Sequence, residues 1–135
     1  MNVIDLVTDA LRRATIIGQT ASPSAEQGAD AVTKLNDVMA SLAGDGIDLG
    51  YNPKATTAET MVLPLEHVLT IKSLLVMAVC GGYGVDPPAS DVSIAQAGYQ
   101  RLLRQAIYAN ARETRTDNAP RGDAQGVVFN ILTGQ

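Results

Sequence analysis

Between Leu63 and Arg112, apolar residues recur at intervals of three and four. This spacing predicts two helices folded back on each other around Gly81-Gly82-Tyr83-Gly84-Val85-Asp86-Pro87-Pro88. In the first arm Leu65, Val68, Leu69, Leu75, Val76 and Val79 share one face, with Lys72 as the polar interruption. Ile71, Leu74, Met77 and Ala78 widen that face until the helix is apolar almost all round, as in an element buried on several sides. The second arm has a narrower stripe of Val92, Ala95, Tyr99, Leu102, Leu103, Ala106 and Ile107, and the pair is expected to form the core.

Two further helices precede this pair. Asn2 is placed to cap a helix over Val3–Ile17, with Asp5 in its first turn, Ile4, Val7, Ala10, Leu11, Ala14 and Ile17 facing inward, and Gly18 as its stop. Ser24 followed by Gln27 fits a capping box, opening a helix that runs to Leu42 or Ala43 with Ala29, Val32, Leu35, Met39 and Leu42 inward and Gly44 at its end. Residues 44–61, about 18 in all, carry turn residues and no sustained period, a longer loop than compact domains usually hold without a purpose. Pro64 suits the first position of the helix that follows, the Gly81–Gly84 run reads as a turn, and Ser90 or Asp91 is expected to cap the last helix from about Val92 onward. From Ala119 the composition shifts to Pro120, Gly122, Gly126 and Gly134 around a lone apolar patch. The expected architecture is therefore all-α: a bundle of four main helices over residues 1–118 with a long irregular loop, and an extended, flexible C-terminal tail over 119–135.

Composition narrows the function. One cysteine, Cys80, excludes an internal disulfide framework and reads as a small buried hydrophobe. Residues 1–20 place Asp5, Asp9, Arg12 and Arg13 within the apolar pattern, unlike a secretion signal, and the longest apolar run, Leu74–Cys80, is too short to span a bilayer. A soluble protein with no membrane partner is expected. The net charge of −4 argues against a chain that works by gripping phosphates, yet the charge is segregated. Residues 101–121 hold five arginines against Glu113 and Asp117, a local +3, whereas the first 100 residues carry −6. Opposite charges on separate parts of one chain suit like molecules packing side by side.

No catalytic or cofactor signature appears. His67 is the single histidine, without a second ligand at metal spacing, and reads as a helix-boundary residue. The glycine run follows a helix and lacks the lysine of a phosphate-binding loop. Asp45, Asp48, Glu59 and Glu66 could supply an acid–base pair, but a solvated surface accounts for them equally well, so a hydrolase is the weakest reading. No enzyme, no metal and no cofactor are expected. One constellation stands out: Arg101, Arg104, Tyr108, Arg112 and Arg115 recur at three- and four-residue spacing, nearly opposite the buried stripe. A solvated face is the ordinary explanation. An arm with five arginines and no lysine instead favours a protein-binding face, since arginine and tyrosine are enriched at interfaces and lysine is depleted. A small helical DNA-binding regulator is the alternative, against which the acidic remainder counts.

The order of elements supplies a resemblance. Leu6-Val7-Thr8-Asp9-Ala10-Leu11-Arg12-Arg13 leads to a second helix from Asp30 to Leu42 and an Ala43-Gly44-Asp45-Gly46-Ile47 turn. A long loop, a Leu63-Pro64-Leu65-Glu66 helix start, a small-residue helix ending Cys80-Gly81-Gly82-Tyr83-Gly84, and an amphipathic helix rich in Ala, Tyr and Arg follow. From about Val3 to Asn118 this resembles the head-to-tail adaptors of tailed bacteriophages, the packaged-DNA stabilisation or tail accessory group.

The resemblance implies a structural protein of the virion neck, made in the bacterial host cytoplasm and assembled as a homo-oligomeric ring of twelve beneath the portal protein. Such a ring extends the DNA channel, helps retain packaged DNA that passes through its lumen without sequence-specific binding, and offers a platform to a downstream tail or neck protein. The family's C-terminal segment reaches the portal, which assigns docking to Arg112, Arg115, Arg121 and the patch Val127, Val128, Phe129, Ile131 and Leu132. Arg101, Arg104 and Tyr108 would meet the portal or a neighbouring subunit. The 44–61 loop would lie at the subunit interface or the distal face.

Overall fold

The computed structural model describes the backbone of residues 1–118 and the side chains of residues 1–111. Four helices account for its regular structure: α1 (Val3–Arg13), α2 (Ala25–Gly44), α3 (Leu65–Tyr83) and α4 (Ala89–Asn118). Among the described residues there is no strand, only an isolated antiparallel bridge between Asn2 and Thr60. The all-α bundle of four helices with a long irregular loop is therefore the fold. The chain divides into two compact units, Met1–Leu103 and Arg104–Gln135. The packing described below is that of the first.

Local chemistry explains where α2 begins. Ser24 Oγ accepts from Gln27 N at 3.2 Å while Gln27 Oε1 accepts from Ser24 N at 2.9 Å, so two backbone donors at the helix start are satisfied reciprocally, as the sequence pattern predicts. The helix carries its period through buried Val32, Leu35, Met39 and Leu42, and adds Gly28 and Ala31; Ala29, expected inward, is exposed.

The start of α1 is satisfied differently from the expectation. Asn2 occupies the cap position but its side chain makes no capping bond. Two carbonyls from the long loop take its place: Val3 N donates to Glu59 O at 3.0 Å and Ile4 N to Thr57 O at 3.1 Å. The helix also stops at Arg13, four residues before Ile17. Thr15 adopts φ 59°, a left-handed turn that closes the helix before Gly18 is reached, with Thr15 N donating to Arg12 O and Ile16 N to Leu11 O. A β-branched residue in that region is strained, and the bonds it closes offset the cost.

The 44–61 segment is thus a strap across the bundle. Glu59 Oε1 accepts from Ala55 N at 2.7 Å and Thr56 N at 3.0 Å, folding the turn that presents the two capping carbonyls. On its other side Asn36 of α2 holds the strap at three points. Its amide donates to Lys54 O at 2.7 Å, and its oxygen accepts from Tyr51 Oη at 2.6 Å and Lys54 N at 2.9 Å. Its own Ile47 and Met61, and Leu63 just beyond it, are buried.

The bonds from Thr56 and Ala55 hold the Glu59 carboxyl below its ordinary value of 4.5. A carboxyl depressed in the folded state contributes stability that is complete above the unfolded value and is lost as pH falls through the folded one. Amide protection at Val3 and Ile4 is therefore expected to weaken selectively below about pH 4.5. Hydrogen exchange referenced to the centre of α2 reads this, and Glu59→Gln should make the two amides indifferent to pH over that range. Equal protection across the range in the parent chain would show that the carboxyl does not hold the turn.

α3 lies against both α1 and α2, and its buried residues include Ile71, Leu75, Val76, Val79 and Cys80. Its length and composition, with a mean hydropathy of 1.4, would suffice to cross a bilayer, beyond what the short Leu74–Cys80 run suggests. It serves here as a core helix: His67, Thr70 and Ser73 are buried among its apolar residues. Three further expectations are corrected. Leu65 and Leu69 are exposed, because the first two turns of α3 are covered only on the side of His67 and Thr70. Gly81 and Gly82 continue the helix, which ends only at Gly84, left-handed at φ 67°. Pro64 precedes the helix as its cap residue, with Leu65 as the first helical position.

Within the first unit, α4 buries Ala95 and Leu102 and approaches α3 closely at Gly98, which lies against Thr70. It starts at Ala89, earlier than expected, with Val92 N donating to Pro88 O. Asp91 is consequently a buried residue of the first turn and not its cap. It forms an ion pair with Arg13 of α1 and accepts from Ser73 Oγ of α3 at 3.1 Å. A single carboxylate thereby joins three helices. Ile107, counted from its spacing as part of the buried stripe, is exposed.

Candidate docking surfaces

Along α4, Arg101, Arg104 and Tyr108 are all exposed, and at 100° per residue they lie within one face opposite buried Leu102 and Ala95. The helix brings these three sequence-selected residues together, and exposed Ile107 borders them. Tyr108 is 79% and Ile107 58% accessible, so the basic face carries two large, bare apolar groups. Arg112 and Arg115 continue the register on the α4 backbone, while their side chains lie outside the described residues. Arg121, Val127, Val128, Phe129, Ile131 and Leu132 also lie outside them.

A second surface escaped the sequence pattern. Val62 is 87%, Leu65 91% and Leu69 51% exposed, on the segment entering α3 and its first two turns. Leu65 and Leu69 stand one turn apart on the same side of the helix, with exposed Glu66 beside them and the Lys72–Asp9 ion pair (3.1 Å) one turn further on. The signal was available in one respect: a helix apolar all round in a chain this short must leave some of its surface bare. Which part stays bare depends on where α1, α2 and the strap lie.

The residues with chemical potential are occupied locally. Asp45 accepts from Tyr99 Oη at 2.9 Å, which raises the tyrosine pKa. Asp48 accepts from Gly50 N at 2.8 Å in a turn, and Glu59 folds the strap. Glu66 Oε1 lies 3.2 Å from Nε2 of buried His67. Cys80 is fully buried, and desolvation, followed by the charges of Asp91 and Asp86, pushes its thiol pKa up, away from the reactive thiolate. Among the described residues no three His, Cys, Asp or Glu side chains converge as a metal site would require. Every buried side-chain polar atom described has a hydrogen-bond partner.

A recess of about 180 Å³ lies between α2 and the strap, bordered by Asn36, Met39, Ala40, Ile47, Tyr51 and Pro53. It is smaller than the roughly 300–1,000 Å³ usual for small-molecule sites. Exposed helical faces, one basic and aromatic and one aliphatic, are therefore the more prominent features of the described surface.

The model of the family described as P22 tail accessory factor matches residues 3–135. No curated protein matches the chain.

Proposed function

The chain belongs to the P22 tail accessory factor family, a structural family of the phage virion, and from that premise we propose that it is a head-to-tail adaptor. In this reading, copies assemble as a ring of twelve beneath the portal protein at the neck. The ring extends the DNA channel, helps retain the packaged genome and receives the next tail or neck protein. The observation that carries the reading is the family match over residues 3–135, nearly the whole chain. The exposed basic face of α4 is consistent with it, since a chain of net charge −4 places five of its seven arginines between residues 101 and 121, a composition suited to meeting another protein.

The portal contact is assigned to Arg112, Arg115, Arg121 and the apolar patch Val127–Leu132, with DNA passing through the ring without sequence-specific contact. The double variant Arg112→Glu, Arg115→Glu is expected to retain helicity and melting temperature while losing portal binding. Circular dichroism and co-sedimentation with purified portal protein measure the two sides. Retained binding would reduce those arginines to a solvated face. The mass of the parent chain, alone and mixed with portal, tests the ring itself. A species of ring size in either condition supports it, and a monomer that ignores portal ends it.

A further inference from the structure

We propose that two surfaces of this chain are made for each other: the exposed α4 face of Arg101, Arg104, Ile107 and Tyr108 in one copy seats on Val62, Leu65 and Leu69 of a second copy. The inference deepens the adaptor reading, on which it rests, by naming the residues through which adjacent subunits meet.

Three observations carry it. The α3 surface holds three large aliphatic side chains more than half bare, two of them almost completely so, and such a patch is stable in water only at a cost that an interface removes. Its length fits a helix. Leu65 and Leu69 are four residues apart, as are Arg104 and Tyr108, so each helix offers a strip about 6 Å long at 1.5 Å rise per residue. Their chemistry also differs in a complementary sense. Ile107 and Tyr108 bring apolar area with two arginines beside it, whereas Leu65 and Leu69 flank Glu66, whose side chain is mostly exposed, within the first 100 residues, which carry −6.

Pairing of two different surfaces also has the symmetry a ring needs. A self-complementary patch pairs with its own image and stops at a dimer. A contact between unlike patches leaves one of each free on every copy, so addition continues until the circle closes. The chain's C-terminal apolar segment and the portal protein are the other candidate occupants of the α3 patch, and each gives its own outcome when cysteines and variants are placed there.

Engineered disulfides decide the matter. One batch of full-length chain carries Leu69→Cys, a second Tyr108→Cys, each with a distinguishable tag, and the two are mixed with portal protein under mild oxidation. The native Cys80 is buried and should stay silent, which the parent chain checks. The expected result is a mixed dimer at least about tenfold more abundant than either same-batch dimer, with each variant retaining the helicity of the parent. Arg104→Glu should reduce assembly of otherwise native chains about tenfold, the equivalent of about 1.4 kcal/mol, and adding Glu66→Arg to it should restore most of the loss.

If Leu69→Cys instead couples to Phe129→Cys, the C-terminal segment is the occupant and the pairing is wrong. If Leu65→Asp leaves ring assembly intact but removes portal binding, the patch belongs to the portal and the pairing is again wrong. If no mixed dimer forms while the parent assembles to ring size, the inference fails and the adaptor reading stands. A parent chain that stays monomeric with portal present overturns both.

Discussion

Asp91→Ala is expected to lower the free energy of unfolding by about 3 kcal/mol, and so the melting temperature by roughly 10 °C for a chain of this size. The carboxylate is buried, pairs with Arg13 and accepts from Ser73 Oγ, so its removal leaves a guanidinium and a hydroxyl without their acceptor where α1, α3 and α4 meet. Broken buried pairs cost about 3 to 5 kcal/mol, and the lower figure applies because the Arg13 side chain is partly exposed and can regain water. Arg13→Ala should be at least as costly, since it strands the more deeply buried partner. A double-mutant cycle is expected to return a coupling of about 1 to 3 kcal/mol. Thermal or urea unfolding of the four proteins measures it, and a loss under about 1 kcal/mol for Asp91→Ala would mean that the pair only relieves its own desolvation.

Gly98→Val should destabilise by about 3 kcal/mol or more, by a different mechanism. Gly98 is the point where α4 lies against α3. A Cβ added there would meet Thr70 Oγ1 and Cγ2 and stand 2.7 Å from Thr70 Cβ, closer than packed carbons approach. Thr70 is buried and β-branched, so it has little freedom to turn aside, and the helices would have to separate. Gly81→Ala is the control. Gly81 is also helical, but nothing lies within 4 Å of its added Cβ, so the substitution should stabilise by about 1 kcal/mol through helix propensity. Thr70→Ala combined with Gly98→Ala should recover only part of what Gly98→Ala loses, because it removes Oγ1 and Cγ2 but keeps the Cβ 2.7 Å away. Opposite signs at the two glycines, read from urea midpoints, are the diagnostic; equal effects would mean that Gly98 is not a packing contact.

These two glycines illustrate what was legible beforehand. Residues three or four apart interact whatever surrounds them, so the Ser24–Gln27 box, the existence of four helices and the shared face of Arg101, Arg104 and Tyr108 could be read from spacing alone. Spacing does not locate the end of α3: glycine is compatible with a helix as well as a turn, so the helix runs through Gly81 and Gly82 and ends where Gly84 is left-handed.

By itself, then, the sequence determined an all-α chain with a basic face on its last helix, since those properties depend on interactions within a few residues. Only the tertiary structure decided which carbonyls cap α1, that Asp91 and Asn36 are tethers between elements, and that Leu65, Leu69 and Ile107 stay bare. Periodicity places residues on a face of a helix. Which face is covered depends on neighbours that are brought there from tens of residues away.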